Sequence, residues 1–321
     1  MASAAALPVL TLANGQAVRP AHPVLQTRLV GLLLAALSLG VTGLLVILAL
    51  TGMRLETGLA RFVLLALALV ALSFFCRFRR YDWRMADSAN MVALATVSLL
   101  LCGLVSLTGL RVGLPLADPA LLRIDRLIGF DVNAVVHYTA ARPSLSAFLH
   151  TAYNLSGPLC LAAILWNLVR GDRTRLWQVA ATLVVAMQVT ALISTLLPAR
   201  GAILFMGLDA LHGQGLPFGA GSYSAREFAH FYWGSDPLVR LADMNGIVVF
   251  PSFHTVMALV ILQGFVASPL RWAAVLWCAL TIVSTVPMGG HYVIDLAGGF
   301  VVWAAACLLA TWACRGRGHP A

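Results

Sequence analysis

No charged residue interrupts the chain between Arg28 and Arg54, between Arg175 and Arg200, between Arg271 and Asp295, or between Asp295 and Arg315. Stretches this long and apolar can satisfy their backbone polar groups in hydrocarbon only as helices, and about 20 residues at 1.5 Å each cross a layer of about 30 Å. The pattern predicts an all-α integral membrane protein, a bundle of about eight transmembrane helices at roughly 29–52, 60–76, 89–110, 151–169, 176–197, 250–267, 271–287 and 292–314. With 60% hydrophobic and 10% charged residues, the 321-residue chain lacks the charge that a soluble surface of this size needs. The first apolar run outlasts a signal-peptide core and is followed by others, so it is expected to remain as an anchor.

The net charge of +9 does not imply nucleic acid, because the arginines sort by membrane side. Arg77, Arg79, Arg80 and Arg84 follow the second span, and Arg170, Arg173 and Arg175 follow the fourth. The positive-inside rule then places both termini in the cytoplasm and the late histidines on the opposite face. The Arg77–Arg84 cluster also fits an anionic-lipid contact. An arginine-only, alanine- and leucine-rich chain suggests a bacterial source and hence the inner membrane, with the histidines on its periplasmic side. Cys76, Cys102, Cys160, Cys278, Cys307 and Cys314 lie in or beside apolar spans without a Cys-x-x-Cys pair, and read as small hydrophobes.

Two outward segments, 111–150 and 198–249, are long enough to frame a site. Residues 121–130 suit a helix in the interface, either a lid over polar loops or a substrate contact. A turn is expected at Pro198-Ala199-Arg200-Gly201, and a short amphipathic helix at Arg226–Trp233. His212 and His230 read as loop histidines.

The chemistry concentrates in Phe250-Pro251-Ser252-Phe253-His254-Thr255 and Gly290-His291-Tyr292-Val293-Ile294-Asp295. Residues four apart on a helix share a face, so Asp295 is placed to accept from one ring nitrogen of His291 and leave the other for nucleophilic attack. Phosphoryl transfer also needs a proton donor for the leaving oxygen and groups that bind the equatorial oxygens. His254 suits the first role; Arg200 and Ser252 suit the second, with Pro251-Ser252 starting span six at its first turn and Ser252 equally suited to capping it. Tyr292 and Thr255 are candidate supporting residues. No metal or cofactor is expected.

These strings resemble the P-S-x-H and late His-x-x-x-Asp signatures of the type 2 phosphatidic acid phosphatase (PAP2) superfamily, in order and spacing, over about residues 90–314. The resemblance implies a phosphohistidine on His291, oriented by Asp295, with His254 protonating the leaving group. It also implies a six-helix catalytic core at 89–314, preceded by a cytoplasmic tail at 1–28 and two additional helices at 29–88, and followed by a tail at 315–321.

Two departures stand out. The first signature, K-x6-R-P, is reduced to Arg200, with Ile193 in the lysine's place and Gly201 in the proline's; no lysine occurs anywhere in the chain. Thr285 occupies the position of the S-R-x5-H arginine. Fewer cations suit a phosphodiester better than a monoester, and the His-Tyr-x-x-Asp form with Ile124–Asp131 is similar to the inositol phosphorylceramide synthase branch. The expected partners are a membrane lipid substrate and an alcohol or lipid acceptor. A lipid phosphatase or phosphotransferase is therefore the leading expectation, beside a polyprenyl diphosphate phosphatase and a non-catalytic scaffold or transporter.

Overall fold

The computed structural model describes residues 10–11, 17–18, 26–80, 82–244 and 247–315, so most of the two expected tails falls outside the described residues. The described residues are mostly helical. The helices are α1 (Thr27–Thr51), α2 (Ala60–Phe75), α3 (Trp83–Leu110), α4 (Asp118–Leu127), α5 (Val132–Ala140), α6 (Pro143–Asn154), α7 (Ser156–Arg170), α8 (Arg173–Leu196), α9 (Ala202–Phe205), α10 (Ala225–Tyr232), α11 (Phe253–Phe265), α12 (Arg271–Gly289) and α13 (Val293–Cys314). Asp82, Asp131 and Asp172 start α3, α5 and α8 by accepting from a backbone amide three residues on.

Among the described residues, six helices are long and apolar enough to cross a membrane: α1, α2 with its C-terminal extension, α3, α8, α12 and α13. The other two expected spans take different forms. Span four is a bent pair, α6 and α7, meeting at 43°. Pro158 explains the break, since it offers no N–H to Asn154 four residues back and its ring crowds that carbonyl. Span six is α11, only 13 residues, because Ser252 caps it late and the chain turns again at Ser268–Leu270. At about 20 Å it falls short of a full crossing.

Helix α8 forms the middle of the bundle, packed by α1, α3, α7, α11 and α13. Small residues let its neighbours approach: a side chain at Gly40 of α1 would strike Gln188, and one at Gly109 of α3 would strike Thr195. At one end of the bundle Asp87, fully buried, receives Arg77 at 3.0 Å, Arg173 at 2.5 Å and the Trp177 indole at 3.2 Å. Two arginines read as topology markers are thus also held by an internal carboxylate. At the opposite end lie α4–α6, α9, α10 and the 197–252 loops, including a two-residue parallel pairing of Arg54–Leu55 with Leu238–Val239.

Candidate active site

His291 sits in a turn, not on a helix. Gly290, with φ at +70°, ends α12 in the left-handed conformation that glycine adopts without strain, and α13 begins at Val293. The expected pairing with Asp295 nevertheless forms, at 3.1 Å from Nδ1 to Oδ2, because Asp295 stands in the first turn of α13 and accepts from the Tyr292 amide at 2.9 Å. The carboxylate folds the chain back over its own helix start and holds the imidazole there. Asp295 Oδ1 has no hydrogen-bond partner among the described residues.

A carboxylate only accepts, so the hydrogen of neutral His291 belongs on Nδ1 and the lone pair on Nε2. Ser252 Oγ lies 3.3 Å from that Nε2. The same Oγ accepts from the Thr255 amide at 3.3 Å, which leaves its own hydrogen for His291. Ser252 is therefore both the cap of α11 and a neighbour of the imidazole. Pro251 precedes this cap rather than occupying the first helical turn, so the expectation that Pro251-Ser252 opens the helix gives way to a start at Phe253. The Ser252 amide donates to the Asp295 carbonyl at 2.9 Å, and a Cβ on Gly299 would run into the Ser252 carbonyl, so α11 starts directly against α13.

His254, the second residue of α11, places its ring centroid 6.3 Å from that of His291. Its other face stacks on Tyr153 of α6 at 3.8 Å. Tyr153 stacks in turn on Tyr223, whose hydroxyl meets His150 Nδ1 at 3.2 Å. Burial pushes the Tyr223 phenol up, so it remains a donor. Thr255 contributes its amide to the cap, while its hydroxyl is buried without a partner among the described residues.

Arg200 reaches the site through its backbone. Its amide and that of Gly201 donate to Asp118 at 2.9 and 3.0 Å, and the next amide, of Ala202, donates to the Gly290 carbonyl at 2.6 Å. Gly201, with φ at +89°, has no room for a Cβ, which would lie 2.9 Å from that same carbonyl. The Arg200 guanidinium stacks over Trp233, 5.4 Å from the ring centroid. Thr285, in the place of the missing arginine, is buried; its backbone carbonyl accepts from the His291 amide at 3.3 Å, and its hydroxyl donates to the Ile282 carbonyl at 2.6 Å.

Two site-building residues escaped the sequence reading, both on α4. Asp118 is buried and also accepts from the Tyr292 hydroxyl at 3.0 Å; Asp125 is buried and accepts from the Val293 and Ile294 amides at 2.8 and 3.0 Å. Helix α4, whose 121–127 part was read as an interfacial lid or a substrate contact, therefore clamps the start of α13 through Asp125 and the Arg200 turn through Asp118. The only sequence signal was the spacing of seven, which puts both acids on one helix face. His212 bonds the Ala220 carbonyl at 2.8 Å and His230 lies on α10, each apart from the paired histidines. Among the described residues no group of three His, Cys, Asp or Glu side chains is arranged to hold a metal ion.

A membrane-embedded helical bundle with a buried histidine–carboxylate pair, and a second histidine across a gap from it, is a phosphatase-type arrangement. The chain belongs to the PAP2 superfamily, whose family model matches residues 119–309, from α4 into α13. No curated protein and no solved structure matches it.

Proposed function

We propose that this protein is a lipid phosphatase or phosphotransferase working through a phosphohistidine. The observation that carries this is the polarisation of His291: Nδ1 is tied to Asp295, and Nε2, the nitrogen with the lone pair, faces Ser252 and the side where His254 stands. Nε2 attacks phosphorus, the bond from phosphorus to the leaving oxygen breaks, and His254 delivers a proton to that oxygen. In the second half, water or another alcohol attacks the phosphorus, His254 takes the proton back, and Nε2 is released. Ser252 exchanges its contact with Nε2 for a phosphoryl oxygen, and the first-turn amides of α11 and Arg200 supply further donors.

Headgroup transfer in the manner of an inositol phosphorylceramide synthase is a second reading with its own support. Thr285 brings no charge where the superfamily pattern has an arginine, the chain has no lysine, and Arg200 rests on Trp233. A diester, with one negative charge, asks less of such a site than a monoester does. In both readings the site opens on the face opposite the termini, the periplasmic one if the membrane is a bacterial inner membrane.

The test is product analysis by mass spectrometry. Purified protein is added to vesicles holding phosphatidic acid, an isoprenoid diphosphate, phosphatidylinositol and ceramide, with His291→Ala as control. Free phosphate that requires His291 identifies a phosphatase, and its lipid source separates the phosphatidate and polyprenyl cases. A new headgroup-bearing lipid identifies a transferase. Equal product from both proteins, or none from either, refutes the proposal in favour of a scaffold or transporter.

A further inference from the structure

A cavity of about 540 Å³ opens between α2, α3 and α11. Its rim holds Leu65 and Leu99, which are exposed on the outside of the bundle; its walls include Phe62, Leu100 and Met244; at its inner end stands His254. Apart from Thr96 and His254 the lining side chains are apolar, and the volume falls in the range that holds a small-molecule ligand. An apolar passage open to the hydrocarbon of the bilayer at one end and to a proton-donating histidine at the other suits an amphiphile. Helix α2 and all of α3 precede the residues matched by the family model, while α11 lies within them.

We infer that the cavity between α2, α3 and α11 seats the hydrocarbon chain of the lipid alcohol that departs when phosphorus moves to His291. The inference rests on the proposed phosphotransfer reading and adds to it the place and chemistry of the donor lipid. His254 protonates the oxygen that leaves, so whatever that oxygen carries must extend from the His254 side. There the structure offers an apolar channel that leads into the bilayer. The lipid is thus the phosphoryl donor, with its chain between α2 and α3, and the acceptor approaches from elsewhere.

Two fillings test this. At Gly103 a Cβ would meet only the terminal methyl of Met244, a flexible group, so Gly103→Leu occupies the cavity without touching backbone; Leu100→Trp fills it from the neighbouring turn. Leu67→Trp, in a separate apolar cavity of about 410 Å³ that none of the site residues lines, is the control. With dioleoyl and water-soluble dibutyryl phosphatidic acid as substrates, the fillings should raise the long-chain KM at least about tenfold, the equivalent of about two displaced methylenes, and leave the short-chain kcat/KM within about twofold. Unchanged long-chain KM in both variants, or equal losses on both substrates, overturns the inference. Photolabelling of His291→Ala protein with a chain-diazirine phosphatidic acid needs no turnover. Label on the Leu99–Gly103 segment that Gly103→Leu abolishes supports the site even if the phosphotransfer reading fails, and label that Gly103→Leu leaves intact overturns it.

Discussion

His291 depends on three partners for a single geometric task, which is to present Nε2 rather than Nδ1. Asp295 sets the tautomer, Ser252 meets the opposite nitrogen, and the Gly290 bend ends α12 so that the imidazole stands in the turn before α13. Asp295→Asn retains the size of the side chain and removes the obligatory acceptor. It is expected to lower kcat by about 10²- to 10⁴-fold while KM changes only a few-fold, read from steady-state kinetics in detergent. Unchanged kcat would dismiss the assigned role. The same division of labour requires His291 unprotonated and His254 protonated at the first step, so kcat/KM against pH should be bell-shaped; single-turnover release of a preformed phosphoenzyme, where His254 must instead be unprotonated to take a proton, should lose the basic limb and keep an acid one.

Two helix starts, those of α11 and α13, carry the site: Ser252 of the P-S-x-H string fixes the first, and Asp125, which a survey for catalytic motifs passes over, helps to fix the second. Asp125 holds the first two amides of α13 from a helix more than 160 positions earlier. Asp125→Ala leaves both amides without their acceptor and should cost about 1–3 kcal/mol, visible as a lower unfolding temperature in detergent; Asp125→Asn, which retains an acceptor, should recover part of it. Gly299→Leu should displace the start of α11 from α13, since its Cβ meets the Ser252 carbonyl, and activity should fall further than with a leucine at Gly298, where the nearest atoms are side chains at 3.0 Å. Comparable activity in the two variants would show that this approach does not position Ser252. The amphipathic character of α4 was legible from its pattern, but its function was not. A buried aspartate inside an interfacial helix looks like a solvated one until the amides it caps are brought beside it.

Across the bundle, the two ends differ in how they treat charge. One end gathers Arg77 and Arg173 around buried Asp87; the other gathers Asp118, Asp125 and Asp295 around backbone amides and His291. The positive-inside rule predicts which end faces the cytoplasm. Phe218→Cys, at a position 82% exposed in the 213–221 loop, should react with a membrane-impermeant thiol reagent added outside intact cells, and Arg170→Cys only after lysis. The native cysteines are buried, or half-buried in the case of Cys307, and should stay silent. The reverse pattern would invert the assigned topology. Membrane class, the approximate places of the six long helices and the His291–Asp295 pairing were legible in sequence, because uncharged length and short-range spacing are local properties of a chain. Tertiary structure alone decided that α11 rests on α13, that Arg200 joins through its backbone, and that α4 clamps both turns. Each of these depends on groups distant in sequence satisfying one another's hydrogen bonds or sharing one volume, and no local pattern records which partner a buried carboxylate or a glycine face will meet.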